Sequence, residues 1–279
     1  MLFATASLAK RIEKAEATLI TEAARATASR IGPDNVFIRQ FGGGVAIHAG
    51  DGAPFNKVAG LGFLGVPDGQ HIEEIEQELA ARNSPVQVEI STLAYPALAR
   101  MLTERGYALV GFENVLGLAL DRLEHPAEPA TPSMSIARTT AQDDEAWLDA
   151  VLTGFLNADT YDGPASHESF DRDVLRRVYE DMASAHGFER FLARVDGKVA
   201  GGASLRIFEG IAQLCGAATL PEYRRRGVQS ALLRYRLADS AQRGCDVAVV
   251  TTMPGSKSQQ NVQRAGFELL YARAILVKG

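Results

Sequence analysis

Three consecutive arginines, Arg224, Arg225 and Arg226, run into Gly227 and then into an apolar-periodic stretch that starts at Val228. Upstream, Ala217-Ala218-Thr219 ends a strand-like run, and Pro221 opens a turn. A helix that begins after such a turn presents backbone N–H groups with no intrahelical acceptor, and the positive end of its dipole points the same way. That combination binds phosphate, and a glycine in the turn lets the backbone approach the anion closely. Residues 221–243 carry six arginines against Glu222 and Asp239, a local charge of +4. The whole chain has 29 Lys and Arg against 34 Asp and Glu, a net charge of −5. The positive patch is therefore local. It suits the cradling of a diphosphate, whereas a nucleic-acid partner would call for a broadly basic surface.

Hydrophobic patterning supplies the elements that must hold this turn in place. The second half reads as a strand over 135–138, helices over 143–156 and 167–185, and a hairpin over 191–208 about Asp196-Gly197. A strand over 212–219, a helix over 228–243, a strand over 247–252, a helix over 258–265 and a strand over 268–277 follow. The first half opens with an amphipathic helix over 7–30, on which Leu8, Ile12, Leu19, Ile20 and Ala23 recur at helical spacing. Short strands over 36–40 and 45–48 flank Gly42, Gly43 and Gly44; a strand over 57–63, an acidic helix over 70–81 and a strand over 86–90 come next. A helix over 96–105 and a strand over 107–118 complete it. Residues 121–133 hold Pro126, Pro129 and Pro132 with few apolar side chains, which is linker composition. The expected fold is α/β of mixed type: two domains, 1–125 and 134–279, joined by a linker at 126–133, each a mostly antiparallel mixed sheet flanked by helices.

The halves repeat. At a shift of 160 residues, Val88-Glu-Ile-Ser-Thr92 falls on Ala248-Val-Val-Thr-Thr252, and Arg105-Gly106-Tyr107 falls on Ala265-Gly266-Phe267. Gly60 aligns with Gly216 at a shift of 156. The pattern reads as two copies of one fold. Only the second can welcome a polyanion, because residues 68–82 of the first carry five acids against Arg82, a local charge of −4.

The chain has 279 residues, 46% of them hydrophobic and 23% charged, which excludes wholesale disorder. Cys215 and Cys245 are the only cysteines and have no metal-ligand spacing, so neither a disulfide framework nor a zinc site is read from them. No apolar run approaches the roughly 18 residues of a membrane span. The N-terminal charges follow a short apolar stretch, opposite to a signal peptide, and a cytoplasmic protein without membrane or nucleic-acid partners is expected.

From the turn outward, residues 134–279 resemble the GNAT acetyltransferase superfamily. Arg224, Gly227 and Gln229 occupy its Arg/Gln-x-x-Gly-x-Gly/Ala signature after Pro221-Glu222-Tyr223, with Gln229 in place of a small residue. The Asp196-Gly197-Lys198 hairpin and the Asn261-Val-Gln-Arg-Ala-Gly266-Phe267 ending extend the likeness. The repeat then makes the first half a degenerate GNAT-like domain without a cofactor site. The resemblance implies acetyl-CoA as acyl donor, its pyrophosphate on the loop of Arg225, Arg226, Gly227, Val228, Gln229 and Ser230, with Arg224 also among the cofactor-binding residues. It implies a pantetheine arm paired with Ala217, Ala218 and Thr219, and polar contacts from Ser258 and Asn261, for which helix capping is the alternative. An amine attacking the thioester needs an oxyanion donor, and the backbone N–H of Ala218 or Thr219 is the candidate.

The catalytic groups depart from the family pattern. Gln213 stands where many GNAT enzymes have a Glu base, and Val262 where many have a Tyr acid; Tyr271, with Ser258, is the substitute. The family usually builds its acceptor pocket from the loop that here contains Asp159, Asp162, His167 and Glu168, which suit a cationic amine or a peptide amine if they are more than a solvated charged loop. No metal is expected. Two rival readings follow: a non-catalytic acyl-CoA sensor, motivated by the missing Glu and Tyr, and an NAD-type oxidoreductase, motivated by Gly60-Leu-Gly62-Phe-Leu-Gly65 with Glu89 on the next strand. The acidic residues Glu73, Glu74 and Glu76 that open the following helix argue against a pyrophosphate there.

Overall fold

The computed structural model describes residues 2–121, 133–157 and 171–279. A long helix α1 (Ala6–Ile31) starts on Thr5, whose side chain accepts the Leu8 amide, and stops at Gly32, left-handed at φ +93°, followed by Pro33. Its buried stripe, including Ile12, Leu19, Ile20 and Ala23, lies across the sheet. The first half continues with β1 (Phe37–Phe41), β2 (Gly44–His48), β3 (Val58–Ala59), α2 (Gly69–Ala80), β4 (Val86–Ser91), α3 (Pro96–Glu104) and β5 (Ala108–Ala119). The second half runs β6 (Met134–Arg138), α4 (Asp144–Leu156), α5 (Arg172–Ala183), β7 (Phe188–Val195), β8 (Lys198–Phe208), β9 (Ile211–Gln213), β10 (Ala217–Thr219), α6 (Val228–Gln242), β11 (Val247–Thr252), α7 (Lys257–Arg264) and β12 (Glu268–Lys278).

Two expected strands take a different form. The one expected over 57–63 is only two residues long, because Gly60 and Gly62 turn left-handed at φ +79° and +87° and the chain packs tightly there: a Cβ on Gly62 would lie 2.6 Å from that of Ala94. The one expected over 212–219 is broken into β9 and β10. Between them Gly216 has φ +41°, and the Ser204 amide points at the carbonyls of both Cys215 and Gly216, as in a bulge.

Among the described residues the strands form a single sheet ordered β1-β2-β3-β4-β12-β5-β11-β9-β8-β7-β6, with β10 paired to β8. Its centre exchanges strands. The last strand of the first half, β5, pairs antiparallel with β11 from Val247↔Ala119 to Thr252↔Asn114. The last strand of the second half, β12, pairs with β4 from Arg273↔Ser91 to Lys278↔Val86, and β5 and β12 pair with each other. The unit β4-α3-β5 thus matches β11-α7-β12 element for element, as the 160-residue repeat requires. Packing joins the two halves through the exchanged strands; the linker expected over 126–133 lies almost wholly outside the described residues. Among the described residues no helix is long and apolar enough to cross a membrane.

Candidate functional site

The arginine turn is assembled from backbone geometry. A short 3-10 turn (Pro221–Tyr223) leads into extended Arg224 (φ −62°, ψ 156°), then left-handed Arg225 (φ +61°), and Gly227, left-handed at φ +79°, is the residue on which α6 begins. A non-glycine residue at positive φ stores strain of order 1 kcal/mol, and such strain concentrates at ligand clamps. Among the described residues no side chain caps this helix start. The first amide bonded into the helix is Ala231, to the Gly227 carbonyl, so the Val228, Gln229 and Ser230 amides have no acceptor from α6 itself. A Cβ built on Gly227 would meet no atom within 4 Å, so the turn opens to the surface. Arg225 and Arg226 are exposed; Arg226 lies over the Tyr223 ring at 5.4 Å and 3.9 Å from Asp196, while Arg224 donates to the Asn157 carbonyl.

Strand β10 lies beside this turn with one edge used. Ala217, Ala218 and Thr219 pair with Ala203, Gly202 and Gly201 of β8. A Cβ on Gly154 of α4 would sit 2.3 Å from that of Ala218, so α4 presses directly on the strand. On the other side, β9 pairs with β11 as far as Gln213↔Val249, and the Leu214 amide bonds to the Val249 carbonyl. Beyond that point β10 and β11 are not partners, which is the expected splay. The Thr219 and Thr252 hydroxyls, at the ends of the two strands, are buried and have no hydrogen-bond partner among the described residues. Residues Ala217–Thr219 and the 224–230 turn are thus brought together as neighbours in one stretch of chain.

The remaining expected residues are placed less uniformly. On α7, exposed Ser258 is not the cap: Ser256 is, accepting the Gln259 amide, and Gln259 also receives Asn114 of β5. Asn261 is half-buried on the same helix, and Val262 is core. Asp159, Asp162, His167 and Glu168 lie outside the described residues. Tyr271 is corrected: it is buried, donates its hydroxyl to Glu13 at 2.7 Å, and burial and Glu13 push its phenol far above the ordinary range, so it is not a proton donor to a cofactor. Gln213 is also committed, accepting from Arg206 at 2.9 Å.

Sequence reasoning missed a set of charges under α1. Lys57 reaches both oxygens of Glu89 at 3.1 Å and Glu16 at 3.7 Å. Arg273 donates to Glu13 at 2.8 Å, and its Nη1 reaches Glu113 at 3.4 Å and Thr251 at 3.5 Å. Two cations thus face four carboxylates. Burial acts against Glu89, yet Lys57 and Arg273 hold its carboxyl below the usual range. Glu113 goes the other way: burial first, then Glu89, raise it to about 7 despite Lys57 and Arg273. The signal in the sequence was Glu13, a carboxylate placed among Ala9, Ile12 and Ala17 on the apolar face of α1.

The open, arginine-lined helix start and the strand beside it lie within the part of the chain that matches a family of N-acetyltransferases. Residues 153–267 match the model of the Acetyltransferase (GNAT) family. No curated protein matches the chain. Its fold is shared by a GCN5-related N-acetyltransferase from Kribbella flavida (20% identity, 92% of this chain and 95% of that one, TM-score 0.63). A tandem GNAT protein from the clavulanic acid biosynthesis pathway is also similar (16% identity, 92% and 87%, TM-score 0.60). So is a GCN5-related N-acetyltransferase from Sphaerobacter thermophilus (15%, 87% and 75%, TM-score 0.59). The activity of the class is transfer of an acyl group from an acyl-coenzyme A to an amine.

Proposed function

We propose that the second half transfers an acetyl group from acetyl-CoA to an amine, a small molecule or a peptide amine, in a ternary complex. The observation that carries this is the left-handed start of α6 at Gly227, without a side-chain cap among the described residues, set beside β10, whose second edge has no strand partner among them. The residues fit the group: open space over Gly227, the Val228, Gln229 and Ser230 amides with the positive helix end, and exposed Arg225 and Arg226 would hold the diphosphate. Ala217, Ala218 and Thr219 offer main-chain groups and an unsatisfied hydroxyl to the pantetheine arm, with Ser258 and Asn261 near the end of β11 as further polar contacts. When bound, the thioester supplies an activated acyl carbon. The chain's own part is to hold that carbon beside β10, to donate the Thr219 amide to the developing oxyanion, since the Ala218 amide faces the β8 ladder, and to receive the proton of the acceptor.

The first half lacks an equivalent cradle. Its Gly60–Gly65 run does not open a helix: α2 starts later, at Gly69, where the Asp68 carboxylate already accepts the Gln70 amide and fills the anion position. This geometry disfavours the dinucleotide reading. Calorimetry with acetyl-CoA tests the assignment. Micromolar binding by the wild type, abolished in a folded Gly227→Glu variant, is the expected result; equal affinity in both overturns it. Binding without acetylation of any amine in a broad panel would favour the acyl-CoA sensor.

A further inference from the structure

The exchanged strand β5 carries a carboxylate, Glu113, to the end of β11. On β11, Val247 and Val249 pack beneath α1 with Val115 of β5, and Thr251 is the next residue on that face. Thr251 is exposed, and it is the first residue of this face beyond the last contact between β9 and β11. Across the ladder Thr251 lies opposite Val115, so Glu113, two residues along β5, projects to the same face just past the end of β11. Arg273 Nη1 ties the two together, since one nitrogen reaches both Glu113 and Thr251.

We propose that Glu113, supplied by the first half, is the base that deprotonates the acceptor amine in the second half's site. This rests on the reading of that half as an acetyl-CoA-dependent transferase. The other carboxylates nearby are spoken for: Glu13 holds Arg273 and Tyr271 and is 2% exposed, Glu89 is 3% exposed and held by Lys57. Glu16 faces Lys57 and Gln213. Glu113 is 29% exposed, and Arg273 at 3.4 Å is its one hydrogen-bond partner among the described residues. Facing it are Glu89 from β4, Glu16 from α1, Lys57 from the segment before β3, and Arg273 from β12. Burial first, then Glu89, keeps this carboxyl half-protonated near neutral pH, which suits general-base work. Gln213, at the position where the family usually has a glutamate, carries no proton acceptor of that strength, so the role is open for Glu113 to fill.

The proton and electron count closes. The Glu113 carboxylate takes one proton from the ammonium and frees the nitrogen lone pair. A C–N bond forms as the C–S bond breaks, the bonding pair leaving with sulfur. The second nitrogen proton passes to sulfur, giving amide and thiol, and Glu113 releases its proton to water through its exposed edge.

The test compares wild type with Glu113→Gln, which preserves side-chain shape. Calorimetry should give both the same affinity for acetyl-CoA; absence of binding in the wild type would instead sink the underlying assignment. Infrared titration with ¹³C-labelled glutamate should show one carboxyl with a midpoint near 7 in the wild type and none there in the variant. With n-propylamine, cationic at neutral pH, the wild-type rate should rise through the same midpoint, and the variant should lose roughly 100-fold. With methoxyamine, uncharged at that pH, the variant should stay within a few-fold. A neutral-range titration that persists in the variant, equal losses with both amines, or no wild-type transfer to n-propylamine despite bound acetyl-CoA would each overturn the proposal.

Discussion

Tyr271 gives its hydroxyl proton to Glu13 at 2.7 Å, from the second half's last strand to the first half's opening helix. The same Glu13 oxygen accepts Arg273 Nε at 2.8 Å. A phenol so placed is a strut between halves. Tyr271→Phe should therefore cost about 1.5 to 3 kcal/mol of stability, the value of a hydrogen bond to a charged group, with kcat/KM unchanged within a few-fold. Urea unfolding and steady-state kinetics on the same preparation check this; a large kcat loss without a stability loss would restore Tyr271 as a catalytic acid.

Lys57 is the counter-ion of two carboxylates under α1. Lys57→Met leaves Glu89 buried without its main partner, and removing one member of a buried pair costs about 3 to 5 kcal/mol. Adding Glu89→Leu should recover most of that loss, because the isolated charge is then gone. A double variant no more stable than Lys57→Met would contradict the pairing.

Stability should carry the imprint of Glu113 as pH changes. Its folded pKa, about 7, lies above the unfolded value of about 4.3, so its contribution is intact at low pH and is lost as pH rises through 7. Glu113→Gln should gain on the wild type by on the order of 2 kcal/mol between pH 5 and pH 8. Chemical denaturation at the two pH values measures the gain; the same difference at both would remove the raised pKa.

The contact between α4 and β10 is equally specific. A side chain at Gly154 collides with Ala218, so Gly154→Val should destabilise by about 1 to 3 kcal/mol or more and displace β10. Weaker acetyl-CoA binding should accompany the loss, measured by calorimetry at a temperature where the variant is folded. Undiminished affinity would mean that β10 does not position the cofactor.

Much of this arrangement was legible in the sequence, for identifiable reasons. Helix and strand periods placed nearly every element within a residue or two, and Gly227 with its arginines marked the turn, because backbone conformation and local charge are written in neighbouring residues. The 160-residue repeat recorded the matching β4-α3-β5 and β11-α7-β12 units. What stayed hidden is long-range. Glu113 and Thr251 are more than a hundred positions apart and meet only because the sheet orders β5 beside β11. Tyr271 was misread for the same reason: its partner, Glu13, is at the other end of the chain.

The trading of β5 and β12 also sets a timetable for biogenesis. While the ribosome is still making the second half, β4 waits beside a missing neighbour, and its ladder closes only when residues 268–278 have emerged. The nascent first half must therefore be kept from pairing with strangers through that open flank, a hazard that would fall on any fragment cut at the proline-rich junction.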